Sequence, residues 1–409
     1  MLIGNAIVGQ SGGPTAAINA TLAGVIRGAV ESRAVNRIFG SFNGIEGILN
    51  RRFIELTHLS EEELKLLENT PAAALGSCRM KLPRPDDQSR ADVYEKLLDF
   101  FRSNDIRYFF YIGGNDSMDT VAKLAAWLSD KDYEMRVIGV PKTIDNDVVG
   151  TDHTPGYGSA AKFIATSMQE ILRDTAVYTI RAVTIVEIMG RDSGWLTAAA
   201  ALPKKVCGVA PDLIYLPERP FEMERFLADL EKAFAVHPNV VVAVSEGLRS
   251  ADGTYIGEGA HSGRVDVFGH KYLAGTGRTL EMAVQSMYGC KVRSVELNLL
   301  QRCASHIASA TDLREAVSVG KAAVEAAVSG ETAKMMCFRR APGRDYSVSI
   351  FPEDISRIAN LIRSVPDEFI TPDGTNVTDE CIDYLLPLIQ GEPDIVFENG
   401  LPKHLSLRK

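Results

Sequence analysis

The 409-residue chain lacks the features that mark secreted, membrane-spanning and zinc-binding proteins. Its six cysteines are scattered without a CxxC pair, which argues against a disulfide framework or a zinc knuckle and favours a reducing compartment. Its seven histidines form no HExxH or similar cluster. No apolar run is long enough to span a bilayer, and the N-terminus lacks the basic stretch of a signal peptide. We therefore expect a cytoplasmic protein with no membrane partner.

The chain also lacks an excess of positive charge. Its formal net charge is −9, which argues against a nucleic-acid partner. This charge does not exclude small polyanionic substrates, because a few local arginines can outweigh the global balance. The hydrophobic content of 45% is ordinary for a globular protein, and the length predicts two domains.

Three familiar phosphate-binding signatures are missing as well. The sequence contains no GxxxxGK[ST], no HRD and DFG set, and no GxGxxG. Their absence argues against P-loop enzymes and protein kinases.

The first two-thirds of the chain repeatedly run from an apolar stretch into a Gly- or Asp-rich loop and then into a helical pattern. Strands are predicted near residues 6–9, 107–112, 137–140, 183–188, 213–216 and 240–244, and helices near 16–31, 118–128 and from 195. Such strands predict an α/β fold with mainly parallel sheets covered by helices. Ligands then bind beyond the carboxyl ends of the strands. Residues 247–275 are predicted to include a long exposed loop, and the tail beyond about residue 353 is predicted to form helices and loops.

Two glycine pairs precede predicted helices. At Gly12 and Gly13 the backbone could approach a phosphate, although such a pair also makes a tight turn that binds nothing. The second pair, Gly113 and Gly114, is followed by the polar residues Asn115, Asp116 and Ser117. These residues could hold an ion or a phosphate, or could cap the helix.

The segment 141–147, PKTIDND, gives the strongest single signal. Asp145 and Asp147 stand two residues apart, beside Lys142 and Thr143, at a predicted strand end. One carboxylate can accept a hydroxyl proton while the other helps to hold Mg²⁺. An Asx-rich turn without chemistry is the alternative.

Two arginines stand in similar loops. Arg191 follows a predicted strand, and Arg79 lies in the segment GSCR. Guanidinium groups bind phosphate oxygens and offset charge during transfer, although either arginine alone could be an ordinary surface residue.

Taken in order, these loops resemble those of the phosphofructokinase family over roughly residues 3–320. The matching segments are SGG at 11–13, LGSCR at 75–79, GGNDS at 113–117, KTIDND at 142–147, MGRDSG at 189–194, SEG at 245–247, Arg293 and QR at 301–302. The resemblance implies two Rossmann-like domains with mainly parallel sheets covered by helices. It places a phosphoryl-donor domain at 1–158 plus about 302–350, a sugar-phosphate domain at about 159–301, and a C-terminal helix and loop extension at about 351–409.

The resemblance also implies roles for the matched residues. Asp145 would take the proton from a sugar C1 hydroxyl, Asp147 would help to bind Mg²⁺, and Thr143 would contact the transferring phosphoryl group. The residues implied in catalysis are Asp145, Thr143, Asp147, Arg191 and Arg79. Those implied in donor binding are Gly12, Gly13, Asp116, Ser117 and Lys142. Those implied in holding the sugar phosphate are Thr143, Met189, Gly190, Arg191, Glu246, Arg293 and Arg302. In this family Arg293 reaches in from a neighbouring subunit, which implies a homodimer or homotetramer with the active site near the interface.

Two positions indicate the donor. ATP-using members of the family resemble GGDGS and PGTIDND in the two loops that here read GGNDS at 113–117 and PKTIDND at 141–147. Asp116 and Lys142 therefore stand where those members have small glycines. An aspartate side chain at this point occupies the space of the α-phosphate of ATP and repels its negative charge, which disfavours ATP. We therefore predict reversible phosphoryl transfer from pyrophosphate to fructose 6-phosphate in glycolysis.

Two departures from the family pattern bear on the site. Asn115 stands where most members carry a metal-binding aspartate, so the implied Mg²⁺ ligands are Asp116, Asp147 and Asn115. Leu299 replaces a histidine of the usual sugar-phosphate loop. The alternatives are an ATP-dependent 6-phosphofructokinase, a pyrophosphate-dependent kinase of sedoheptulose 7-phosphate, and a catalytically silent sugar-phosphate-binding regulatory subunit.

Overall fold

The computed structural model describes residues 2–87, 90–257, 275–343, 345–359 and 361–407, and it confirms the predicted α/β fold. Its β-strands are β1 Gly4–Gln10, β2 Val35–Ser41, β3 Phe53–Glu55, β4 Ile106–Gly113, β5 Arg136–Pro141, β6 Ala182–Ile188, β7 Leu213–Tyr215, β8 Asn239–Ser245, β9 Lys291–Glu296, β10 Lys334–Arg340, β11 Val348–Asp354, β12 Phe397–Glu398 and β13 Leu401–Pro402. Its α-helices are α1 Ile18–Glu31, α2 Gly44–Leu49, α3 Glu61–Glu68, α4 Ala91–Ser103, α5 Asn115–Leu128, α6 Tyr157–Thr175, α7 Trp195–Ala198, α8 Pro203–Cys207, α9 Met223–Phe234, α10 Thr276–Tyr288, α11 Leu300–Cys303, α12 Ala310–Ser329 and α13 Asp379–Leu385.

The strands form two main sheets, a seven-stranded one in the order β11-β10-β5-β4-β1-β2-β3 and a four-stranded one in the order β7-β8-β6-β9. Every pair in the small sheet is parallel, as are the central pairs of the large sheet from β10 to β2. The outer pairs β2-β3 and β10-β11 are antiparallel. The chain moves from β1 to β2 on one side and later to β4 on the other. The ends of β1 and β4 therefore form the kind of crevice where α/β sheets bind ligands.

Helices cover both faces of each sheet. Apolar residues of α1 and α12 pack on one face of the large sheet, and those of α4 and α5 pack on the other. The small sheet lies between α6 and α7 on one side and α9 and α10 on the other. Burial from both sides explains why all seven residues of β1 are buried and why its centre, Ala6 to Val8, is a continuous apolar run rather than an alternating one.

The chain leaves the large sheet after β5, builds the small sheet from β6 to β9, and returns with β10 and β11. Strand β11 spans residue 351, where the C-terminal extension was predicted to begin. The division into domains stays a prediction. Residues 258–274 of the predicted exposed loop lie outside the described residues. Among the residues that the structure describes, no helix is both long and apolar enough to cross a membrane.

Candidate active site

Loops at the carboxyl ends of strands from both sheets face one another across a cleft of about 770 Å³. The large sheet contributes the loops that follow β1, β4 and β5, and the small sheet contributes those that follow β6, β8 and β9. The predicted site residues that line the cleft are Gly12, Gly13, Arg79, Asn115, Asp116, Ser117, Lys142, Thr143, Asp145, Asp147, Met189, Arg191, Glu246 and Arg302. The fold thus brings together nearly all of the residues that the sequence singled out.

The turn after β1 forms one wall of the cleft. Gly12 has a φ of +76°, a conformation that favours glycine, and its N–H donates to the carbonyl of Cys78 at 3.1 Å. The ammonium of Lys142 donates to the carbonyl of Gly13 at 2.5 Å. A Cβ at Gly12 would lie 3.3 Å from Lys142 Nζ, so the ammonium lies directly against this turn.

Lys142 is a buried cation, with 3% of its surface exposed. Burial lowers the pKa of Lys142 to about 8, although the nearby carboxylates of Asp145 and Asp147 oppose the shift. An anion bound beside this ammonium would favour its charged form. The position therefore suits a residue that holds a phosphate group of the donor.

The two predicted catalytic carboxylates lie on either side of one strained residue. Asn146 has a φ of +54°, which asparagine tolerates better than most residues, and Thr143 Oγ1 accepts from the N–H of Asp145 at 3.1 Å. Burial raises the pKa of Asp145, while Lys142 and Arg191 oppose the shift. Burial and the neighbouring Asp145 raise the pKa of Asp147 to about 7. The site therefore holds two carboxylates whose charges need a cation nearby.

The residues around Asp147 fit a magnesium ion that completes its coordination with donor oxygens. Asn115 Nδ2 lies 3.5 Å from Asp147 Oδ2, and the buried Asn115 Oδ1 has no hydrogen-bond partner among the described residues. Nowhere in the described part of the chain do three or more His, Cys, Asp or Glu side chains come together to hold a metal ion. Mg²⁺ is commonly bound by one or two carboxylates together with substrate phosphates, so this sparse set is sufficient. The carboxylate of Asp116, the third predicted ligand, pairs with Lys81 at 3.0 Å.

The predicted acceptor side of the cleft includes the loop after β6. Gly190 does not itself line the cleft, but its N–H donates to Glu246 Oε1 at 3.3 Å and its carbonyl accepts from Ser245 Oγ at 2.6 Å. The N–H of Met189 donates to Gln301 Oε1 at 3.3 Å. Burial, with a smaller contribution from Asp145, raises the pKa of Glu246 to about 7. Hydrogen bonds thus join the loop after β6 to the end of β8 and to α11, which follows β9, at the predicted sugar site.

The two remaining predicted arginines lie in different places. Arg302 Nη1 lies 3.6 Å from the position of a Cβ at Gly13, so this side chain reaches from α11 to the turn after β1. Burial lowers the pKa of Arg302, and the nearby Arg79 adds to the shift. Arg293 lines a separate small pocket with Tyr178 and Lys291. The assignment of Arg293 to the sugar phosphate stays a prediction.

The lining of the cleft also includes charged residues that the sequence did not single out. They are Lys81, Glu187, Asp192 and Glu296. Lys81 stands two residues after Arg79 in a segment without helix, and side chains two apart in an extended chain share a side, so this spacing was an available signal. Of the residues that the structure describes, five cationic side chains and seven carboxylates line the cleft. A lining with this excess of negative charge favours binding of phosphates together with a divalent cation.

Comparison with known proteins gives a consistent result. The family model described as phosphofructokinase matches residues 5–327. A pyrophosphate--fructose 6-phosphate 1-phosphotransferase of Halomonas elongata is 41% identical over 408 residues, which cover 99% of this chain and 96% of that protein. One of the same name from Xanthomonas campestris is also 41% identical, over 100% of this chain and 97% of its own length. The crystal structure of a pyrophosphate-dependent phosphofructokinase from Nitrosospira multiformis matches with a TM-score of 0.89 at 37% identity, covering 99% of this chain and 96% of that one.

Proposed function

The chain belongs to the phosphofructokinase family, and on that premise we propose that it transfers a phosphoryl group from pyrophosphate to the C1 hydroxyl of fructose 6-phosphate. The products are fructose 1,6-bisphosphate and phosphate. Relatives named for this activity align with essentially the whole chain, which supports the same activity here and the predicted enzyme class. Because the two phosphoryl bonds have similar transfer potentials, the reaction runs in both directions.

Asp145 acts as the general base. Its carboxylate takes the proton of the C1 hydroxyl while the oxygen forms a bond to the transferring phosphorus, and the bond from that phosphorus to the leaving phosphate breaks. Arg191 faces the same part of the cleft and offsets charge on the transferring group, together with Arg79. The chain supplies positioning and electrostatic stabilisation, without a covalent intermediate.

The assignment of pyrophosphate as the phosphoryl donor depends mainly on Lys142. Its buried ammonium lies against the turn formed by Gly12 and Gly13, where a phosphate approaches the backbone. ATP-using members have a glycine at this position, and Asp116 adds a second obstacle to a nucleotide. Pyrophosphate, a short donor that has no α-phosphate, fits this arrangement.

Mg²⁺ belongs to the same proposal. Asp147 would hold the ion with the oxygens of pyrophosphate, and Asn115, whose Nδ2 lies 3.5 Å from Asp147 Oδ2 and whose buried Oδ1 has no partner among the described residues, would assist. The ion supplies charge neutralisation for the phosphates when it is bound.

The acceptor site, the assembly and the location complete the proposal. Met189, Gly190, Glu246 and Arg302 hold fructose 6-phosphate on the side of the small sheet. The large sheet provides the donor side, as the predicted domain division implies. Arg293 lies on β9, the last strand in the order of the small sheet, and serves the active site of a neighbouring subunit in a cytoplasmic homo-oligomer.

Turnover of fructose 6-phosphate with Mg²⁺, coupled to aldolase, tests the donor assignment. Pyrophosphate and ATP are compared at equal concentrations, and we expect turnover with pyrophosphate to exceed turnover with ATP by a wide margin. The double variant Asp116→Gly and Lys142→Gly should lose pyrophosphate turnover. Greater activity of the wild type with ATP would keep the family and overturn the donor assignment.

The variant Asp145→Ser tests the base. We expect kcat to fall by about 10²–10⁴-fold, because general base catalysis contributes a factor of that size, with a modest change in KM for fructose 6-phosphate. Asp99→Ser is a matched control, since Asp99 is exposed, pairs with Arg51 and lies outside the cleft. A kcat for Asp145→Ser near that of the control would overturn the assignment.

A further inference from the structure

The 361–365 segment of the C-terminal extension contacts the catalytic loops of both sheets. Ile362 lines the cleft and forms an antiparallel bridge with Val148, directly after the turn that carries Asp145 and Asp147. The N–H of the next residue, Arg363, donates to the carbonyl of Asp147 at 2.8 Å. From the sequence, this segment was predicted only to belong to the C-terminal helix and loop extension, whose role stayed open.

The side chain of Arg363 extends this contact. Its Nη1 lies 3.5 Å from the carbonyl oxygen of Asn146, and its Nη2 donates to the hydroxyl of Tyr384 at 3.1 Å. The guanidinium also lies over the ring of Trp195, 4.3 Å from the ring centre. Arg363 therefore supports the strained residue Asn146 and is itself fixed by two aromatic side chains.

The carbonyl group of Arg363 faces the other sheet. It accepts from Ser193 Oγ at 3.2 Å and from Trp195 Nε1 at 3.3 Å. Ser193 lies two residues after Arg191, in the loop that follows β6. A single residue thus bonds to the loop that holds the general base and to the loop that holds a charge-neutralising arginine.

The partly buried carboxylate of Glu218 strengthens the link to the second loop. Glu218 Oε1 accepts from the N–H of Gly194 at 2.8 Å and from the N–H of Val365 at 2.9 Å. Glu218 therefore bridges the 361–365 segment to the loop after β6, in addition to the two bonds that the carbonyl of Arg363 accepts from Ser193 and Trp195. The 361–365 segment therefore links the two loops through hydrogen bonds to each of them.

From these contacts we propose that Arg363 is a positioning residue that sets the separation of Asp145 and Arg191 across the active site. This inference rests on the proposed function. Arg363 is not among the residues that line the cleft, so its effect should fall on the geometry of the reacting groups rather than on sugar binding. A misplacement of about 1 Å in such a site can cost about 10²-fold in rate.

Kinetics of three variants test the role. In Arg363→Met the guanidinium contacts are lost, and in Arg363→Lys the charge stays but the fork that reaches both Asn146 and Tyr384 is lost. Arg357→Met is the matched control, because Arg357 is exposed and pairs only with Glu353 within the described residues. We expect Arg363→Met to lower kcat by about tenfold or more, with KM for fructose 6-phosphate within about threefold of wild type. The kcat of Arg363→Lys should lie between those of Arg363→Met and wild type. The control should match wild type in both kcat and KM.

Hydrogen exchange without substrate gives a second, independent readout. Amides of residues 144–148 and 193–196 should exchange faster in Arg363→Met than in wild type, and the control should leave both regions unchanged. If Arg363→Met fails to fold, Arg363→Lys decides by the same two measurements. A folded variant with wild-type kcat, or with slow exchange in both regions, overturns the proposal. If wild type proves inactive with pyrophosphate, the proposed function fails, while the exchange data still decide the positioning role.

Discussion

At the scale of single residues, His153 shows how the fold uses charge away from the cleft. Its Nδ1 lies 2.9 Å from Asp152 and its Nε2 2.7 Å from Glu315, and the ring stacks on Phe338. Because both ring nitrogens face carboxylate oxygens, both carry protons and the residue is a buried imidazolium. Burial alone would lower the pKa of His153, but the two hydrogen bonds outweigh it and raise the pKa to about 9.

This pairing predicts how stability depends on pH. The folded pKa of about 9 lies above the ordinary value of 6.5, so the stabilisation is complete below pH 6.5 and is lost as the pH rises through 9. Urea unfolding from pH 6.5 to 9.5 should show that the advantage of wild type over His153→Gln shrinks by about 3 kcal/mol. His58→Gln, at a side chain 87% exposed, is the control and should keep the wild-type slope. An advantage that stays constant with pH would show that His153 is not charged.

At the scale of elements, helices α1 and α12 pack unusually closely. A Cβ at Gly320 would lie 2.3 Å from the carbonyl oxygen of Thr21, and one at Gly24 would lie 2.1 Å from that of Val317. Both obstacles are backbone atoms, which cannot rotate away as a side chain can. Helix α1 follows the turn at Gly12 and α12 follows Arg302, so this packing also supports the donor wall of the cleft.

The variant Gly320→Ala should therefore destabilise the protein. Helix propensity alone favours alanine by about 1 kcal/mol, whereas forcing the two helices apart costs about 1–3 kcal/mol, so the packing cost should dominate. The free energy of unfolding in urea measures the difference. Ser318→Ala is the control on the same helix, because Ser318 is exposed and its hydroxyl bonds only to the carbonyl of Arg314 within the described residues. A Gly320→Ala variant at least as stable as wild type would contradict the close packing.

The elements also show what the sequence could predict. The apolar runs of β1, β4, β5, β6 and β8 were predicted to within two residues, because strands buried on both faces are hydrophobic throughout. Helix α5 begins at Asn115, three residues before its predicted start, because its first turn consists of polar residues typical of a loop. Strand β11 was not predicted, since its sequence VSIFPED contains a proline and lacks a long apolar run.

At the scale of the whole molecule, the convergence of the strand-end loops could be predicted, but individual atomic contacts between distant parts of the chain could not. The motifs placed Asp145, Lys142 and Arg191 in one site, because loops at the carboxyl ends of parallel strands converge. The approach of Arg302 to Gly13 depends on how the two sheets face each other, which no local pattern encodes. The bond between Arg363 and Asn146 joins residues 217 positions apart and has no signature in either segment.

Because the cleft lies between loops of the two sheets, a ligand that touches both sides should stabilise the molecule as a whole. A ligand at 100 times its Kd adds about 2.7 kcal/mol to the free energy of unfolding, if it binds only the folded state. We expect Mg²⁺ with pyrophosphate to raise Tm in a thermal unfolding scan, because Lys142 of the large sheet and Arg191 of the small sheet both line the cleft and are both assigned to the phosphoryl donor in the proposed function.

Mg²⁺ with ATP at the same concentration should raise Tm less, since the proposed function assigns Asp116, which pairs with Lys81 at 3.0 Å, to the place of the nucleotide's α-phosphate. In Asp116→Gly the shift caused by ATP should increase relative to that caused by pyrophosphate, whereas Asp99→Ser should respond like wild type. This comparison reports binding without turnover, so it separates a donor that binds unproductively from one that is excluded. Equal shifts for the two donors in wild type would mean that the cleft admits a nucleotide and that donor choice depends on the chemical step rather than on exclusion by Asp116.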